Sequence, residues 1–231
     1  MSQQTHKKQT LSSGFTLIEL LVVIGILAIL LAITLIAINP NKHFQDSRNT
    51  QRSSNVSEVL NAVYEYESAN SGNKPPALAN LSLTMPLGEA PTQSASAVAF
   101  ATPTVTFTVP SGNTVTSGNV LVSGCSVAAD NGTFAVTGGT TTSIAVTNNS
   151  GVAGATGCVI ATAVDLCSNL TPAYIADLPT DPSSGSVTGG STPCASGVTA
   201  YTTGYTIAQA SGRFTVAAPG AEGGSTISVT R

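Results

Sequence analysis

The chain has 231 residues, a formal net charge of −3 and only 8% charged side chains. That length gives one ordinary domain enough residues for a real core, and the charge balance excludes the global basic field that recruits nucleic acid. Between Glu89 and Asp177 the sole charges are Asp130 and Asp165, among Thr, Ser, Gly, Ala and Val, which predicts a neutral, hydroxyl-rich, strand-forming surface.

Residues 1–14 are polar, with His6, Lys7 and Lys8 and no acid in residues 1–11. Residues 15–38 then form an apolar run in which only Glu19 is charged. As an α-helix at about 1.5 Å per residue it reaches roughly 36 Å, enough to cross a hydrocarbon core. The run is longer than a secretory apolar region of about 7 to 15 residues, and no Ala-x-Ala site follows it closely, so an ordinary cleaved signal peptide is not expected. The lysines place the amino end in the cytoplasm and the bulk of the chain outside.

Gly14-Phe15-Thr16-Leu17-Ile18-Glu19 opens the run. Together with the short basic leader and the long apolar helix, it resembles the start of the type IV pilins and of the pseudopilins of type II secretion, without a departure from their motif. The resemblance implies that a membrane-embedded prepilin peptidase cuts the Gly14–Phe15 bond and methylates the Phe15 nitrogen. Residues 1–14 would leave, and the chain would pack with copies of itself or with other pilins through residues 15–38. It also implies that Glu19 registers one subunit against the next. The chemistry is compatible: Gly14 lacks a Cβ and offers an open backbone to a protease. The freed amine, with a reference pKa near 8, lies four residues before Glu19 on one helix face. An acid toward mid-membrane costs about 2.5 to 3.5 kcal/mol, which favours pairing; the residue by itself is equally compatible with snorkelling to headgroups.

Asn39-Pro40-Asn41 marks either a kink or the first turn of a fresh helix. Through residues 39–71 the spacing of Val56, Val59, Leu60, Val63 and Tyr66 predicts a helix with one packed face. Residues 46–55, with Arg48 and Arg52, are expected to stand exposed between membrane and head. Gly72 and Pro75-Pro76 end this helix, and a loop is expected to about Ala95. Period-two alternation in Val105, Phe107 and Val109 starts the strands. Others are expected near residues 115–122, 133–136, 143–146 and 158–164, a hairpin over 201–208 and 213–217, and a last strand over 225–230. The fold class is therefore α+β, with a long helix packed on an antiparallel head formed by residues 72–231.

Cys125, Cys158, Cys167 and Cys194 all fall in the part expected outside, where an even count favours disulfides, and four cysteines allow three pairings. Many pilins close a loop in the carboxy-terminal region with a disulfide, so the resemblance points to Cys167 with Cys194 and hence Cys125 with Cys158. Residues 170–182 resemble the Leu-Pro-x-Asp-Pro segment before the last strands of many pilins and major pseudopilins. Some of the latter hold calcium just beyond it, which makes Asp177 and Asp181 candidate ligands. Calcium takes six to eight oxygens, and residues 183–191 add no third acid, so a proline-fixed turn capped by aspartates is the preferred reading and no cofactor is expected.

No Ser-His-acid or Cys-His set can be drawn, because the histidines are His6 and His43 only, and no phosphate-cradling glycine loop is present; an enzyme is not expected. The expected function is a pilus subunit. The alternatives are a secretion pseudopilin and a permanently anchored surface adhesin whose head binds a ligand.

Overall fold

The computed structural model describes residues 14–89 and 92–231. The chain divides into two compact units, Met1–Phe44 and Gln45–Arg231.

The first unit carries helix α1 (Leu17–Ile38). It starts because Thr16 keeps an extended backbone, φ −77° and ψ 150°, and its hydroxyl accepts from the Glu19 amide. It stops at Asn39, whose left-handed φ of 44° suits asparagine better than most side chains. From Leu17 to Leu35 every side chain is exposed, and the helix is long and apolar enough to cross a membrane. Pro40 then opens helix α2 (Pro40–Ala69), where its missing N–H falls at a position that needs no donor.

In the second unit α2 buries Arg52, Asn55, Val56, Val59, Leu60, Ala62 and Val63. The apolar members are the face that the spacing predicted, and Tyr66 packs half-buried beside them. The expectation that residues 46–55 stand exposed holds for Asp46, Ser47, Thr50, Gln51, Ser53 and Ser54 and is corrected at two positions: Arg52 is 0% accessible and Asn55 8%. Both are buried because the head supplies partners, Asp181 for the guanidinium and the Tyr205 hydroxyl, 2.8 Å from Asn55 Nδ2, for the amide. Gly72, with φ 83°, donates to the Glu67 carbonyl at 2.7 Å and ends the helix region as expected.

The strands, in chain order, are β1 (Met85–Glu89), β2 (Gln93–Ser94), β3 (Ala97–Ala101), β4 (Thr104–Thr108), β5 (Asn119–Ser123) and β6 (Gly132–Thr140). They continue as β7 (Ser143–Thr147), β8 (Val159–Ala161), β9 (Ser186–Thr188), β10 (Ala200–Ala210), β11 (Arg213–Ala218) and β12 (Ile227–Thr230). Two antiparallel sheets result. The first runs β1-β10-β11-β12, with β9 also on β10, and its register aligns Met85 with Ile207 and Ile207 with Val216. Those residues, with Tyr205 and Phe214, pack on Val56, Leu60 and Val63 in one core. Ser211 and Gly212, both with positive φ, make the tight turn between β10 and β11.

β1 lies inside the stretch expected to be loop. Pro86 and Gly88 break the strand pattern in sequence, and in the structure they sit at a bulge. A Cβ on Gly88 would lie 2.6 Å from the Tyr201 carbonyl oxygen, so only glycine lets the two backbones approach there.

The second sheet has the order β2-β8-β5-β6-β7-β4-β3. Its two end strands, β2 and β3, follow one another in the chain with a bend at Ser96 between them, and β2 pairs with β8 while β3 pairs with β4, so the sheet curls round on itself as a small barrel inserted between β1 and β9. Val98, Val105, Phe107, Val120, Val122, Ile144, Val146 and Ile160 fill it. Alternation gives Val105 and Phe107 their inward places, while Thr104, Thr106 and Thr108 face outward. The Ser82 amide and Asn119 Nδ2, donating to Thr133 Oγ1 and the Thr84 carbonyl at 2.8 Å each, tie barrel to sheet.

Cys125 bonds to Cys158 in the barrel and Cys167 to Cys194 over the first sheet, across separations of 33 and 27 residues. In the chain-entropy picture each contributes roughly 3.5 kcal/mol.

Candidate processing and assembly site

The Gly14–Phe15 bond lies immediately before α1, in non-helical backbone. Gly14 is exposed with nothing within 4 Å of the place a Cβ would take, and Phe15 is 84% accessible. A protease therefore meets no steric barrier within the described residues, and a cut there frees the Phe15 nitrogen one residue before the helix cap.

Glu19 turns back over this end. Its Oε2 accepts from the Thr16 amide at 2.9 Å and from the Thr16 hydroxyl at 2.8 Å, while the Glu19 amide donates to Thr16 Oγ1 at 3.3 Å. The pair forms a reciprocal capping box. The carboxylate thus sits at the positive end of the helix dipole, one residue from the Phe15 nitrogen. Thr16 is the residue that the sequence reading passed over, although Thr16-Leu17-Ile18-Glu19 carries the Ser/Thr-x-x-Glu signal for such a cap. Phe15, Ile18, Val22 and Val23 line a shallow apolar hollow beside Glu19.

The second group of candidates lies in the head. Asp181 is 3% accessible, and Arg52 reaches it across the core, Nε to Oδ2 at 2.6 Å and Nη2 to Oδ1 at 3.2 Å. Asp181 Oδ1 also accepts from the Ser183 and Ser184 amides at 2.8 and 2.9 Å and from the Ser183 hydroxyl at 3.0 Å. Burial pushes the carboxyl up, but the Arg52 hydrogen bond and these serine donors outweigh it and hold Asp181 far below the usual carboxylate range. Arg48 Nε, 2.9 Å from Glu222 Oε1, and Asn49 Nδ2, 2.9 Å from the Glu222 carbonyl, extend the network to the loop after β11.

Asp177 caps a different turn: its Oδ1 accepts from the Leu178 and Cys194 amides at 2.7 and 2.9 Å, and its Oδ2 from the Thr192 hydroxyl. The two aspartates therefore serve separate sets of internal donors and do not converge. Among the described residues no three His, Cys, Asp or Glu side chains gather as a metal site. At Asp181 the donor set does not fit calcium, because the buried Arg52 guanidinium occupies the place a cation would need, and at Asp177 two amides and a hydroxyl already take up the carboxylate oxygens. The melting temperature of the full chain in detergent is accordingly expected to move by less than about 1 °C on adding millimolar calcium or a chelator; a calcium-dependent rise of several degrees would contradict this arrangement.

In comparison with known families, residues 10–35 match the prokaryotic N-terminal methylation motif. Comparisons with curated proteins and with solved structures return no match. The motif therefore covers Gly14, Phe15, Thr16 and Glu19 and most of α1, and leaves the head to be read from its own physics.

Proposed function

From this motif, the signature of type IV pilins and pseudopilins, we propose that the chain is a structural subunit cut after Gly14, methylated at the Phe15 nitrogen and polymerised into a pilus through residues 15–38. The observation that carries the reading is the pairing of that motif with a helix whose apolar side chains are all exposed from Leu17 to Leu35. An apolar surface of this length needs lipid before assembly and other apolar helices after it. A bundle of identical helices supplies the second. The amino end stays cytoplasmic, the head lies outside, and the partners are a prepilin peptidase and other copies of the chain. The subunit is not an enzyme in this reading; the peptidase performs the chemistry on it.

A pilus is preferred over a secretion pseudopilin because the head carries the inserted barrel, residues 93–161, whose outer positions are hydroxyl-rich, which suits exposure at a cell surface. The test is intact mass and amino-terminal sequencing of protein sheared from the cell surface. A chain beginning at methylated Phe15 in that fraction is expected. A chain that keeps residues 1–14 and stays with the membrane would favour the anchored adhesin instead.

A further inference from the structure

A cleft of about 510 Å³ lies between β1 and the barrel strands β5 and β8. Gly88, Ala161 and Ala163 give it small walls, and Glu89 and Asp165 give it two carboxylates, with no lysine or arginine in the lining. Asp165 is fixed in place: its Oδ1 accepts from the Tyr201 hydroxyl at 2.6 Å and from the Cys167 amide at 2.8 Å. Glu89 stands opposite Tyr201 in the β1–β10 register. Both acids therefore lie at the Tyr201 end of β10, and neither makes an ion pair among the described residues.

The other end of β10 carries the counter-charge. There Ala210, Ser211, Gly212 and Arg213 form an exposed hairpin tip of three small residues and one arginine. Alternation turns Phe214 into the core and leaves Arg213 pointing away from it. The other cations of Gln45–Arg231 are engaged within the chain: Arg48 and Arg52 hold Glu222 and Asp181, Lys74 lies 5.5 Å over the Phe214 ring, and Arg231 donates to Asn61. Arg213 makes no ion pair among the described residues.

From Tyr201 to Ala210 the extended strand covers about 30 Å, at roughly 3.3 Å per residue. That direction is also the direction of α2. Asn55 meets the Tyr205 hydroxyl, and Tyr64 meets the Phe214 amide opposite Gln209. The helix from Asn55 to Tyr64 and the strand from Tyr205 to Gln209 thus cover the same length, about 13 Å. Copies that follow one another along α2 bring the tip of one to the cleft of the next. Such a head-to-tail contact is heterologous and repeats without closing, as a filament needs.

We infer that the cleft bearing Glu89 and Asp165 receives the Arg213 hairpin tip of a second copy of this chain, displaced by about 30 Å along β10. The inference rests on the polymer reading and assigns it one contact between heads. The guanidinium brings the positive charge that the cleft lacks and presents a fork of donors to its carboxylates. Small residues on the tip and on the walls let the two backbones approach.

Two chains expressed together test the contact, one carrying Arg213→Cys and the other Glu89→Cys. Within one chain these positions lie about 30 Å apart, far beyond the Cα separation of about 4.4 to 6.8 Å that a disulfide spans, so a bond between them joins two copies. Mild oxidation of the sheared fibres is expected to give a disulfide-linked dimer holding one chain of each kind, and no dimer from fibres of either chain alone. Arg213→Glu and Glu89→Arg are each expected to lower fibre yield about fivefold or more with cleavage after Gly14 unchanged, and the two together in one chain to restore it. Both side chains are exposed, so neither reversal strands a buried partner. Mixed fibres without the mixed dimer, a dimer from one chain alone, or reversals that assemble at the wild-type yield would each overturn the inference and leave the polymer reading standing. Absence of processed wild-type chain from the sheared fraction would overturn both.

Discussion

Glu19→Ala is expected to leave the chain inserted and cut after Gly14 while reducing the sheared fibre fraction at least tenfold. Membrane insertion is not the reason for the residue: an acid in a spanning helix costs up to about 2.5 to 3.5 kcal/mol, so removing it makes insertion easier. Local helix stability is not the reason either. The variant loses the hydrogen bonds to the Thr16 amide and hydroxyl, a capping loss of roughly 0.5 to 2 kcal/mol, in a 22-residue helix that lipid already holds. On the proposed reading the carboxylate acts on a partner outside the chain. Glu19→Gln separates the two contributions, since it keeps an oxygen for Thr16 and removes the charge. Fibre yields as low in the glutamine variant as in the alanine variant would assign the role to charge. Normal fibre recovery from Glu19→Ala would remove Glu19 from assembly.

Arg52→Met is expected to destabilise the head by about 3 to 5 kcal/mol, read as a lowered urea midpoint of the full chain in detergent. The methionine fills most of the arginine's volume, so the loss comes from stranding the Asp181 carboxylate, 3% accessible, without its guanidinium. Adding Asp181→Asn should recover about half or more, because the amide oxygen still accepts from the Ser183 and Ser184 amides while the buried charge is gone. The pH dependence has a definite sign. A carboxyl held below its unfolded value contributes stability that is fully present above about pH 4 and is lost as pH falls through the folded value. In Arg52→Met the effect of burial is no longer outweighed to the same extent, so acid unfolding should begin at a higher pH than in the wild type. An Arg52→Met midpoint equivalent to less than 1 kcal/mol, with an unchanged acid limb, would show that the pair does not hold α2 to the head.

These two residues divide the molecule by how far their partners lie along the chain. Glu19 meets Thr16 three positions away, and everything at that end is local: the apolar run, the cap, the stop at Asn39 and the proline that opens α2. Local backbone preference and helical or strand periodicity act within a few residues, so the sequence by itself determined α1, the apolar face of α2, and the hairpin that places Ile207 opposite Val216. It also contained the Thr16 cap, in the Thr-x-x-Glu spacing of residues 16–19. Arg52, by contrast, looks like a solvated charge until Asp181, 129 positions away, arrives beside it. The same distance hides β1, whose proline and glycine resemble a loop until Tyr201 lies against Gly88. It hides the barrel too, because closure needs residues 93–101 to pair with β8 at one end and β4 at the other. Burial of a charge, acceptance of a glycine and closure of a sheet are all set by groups that only the folded chain brings together, and only the tertiary structure decided them.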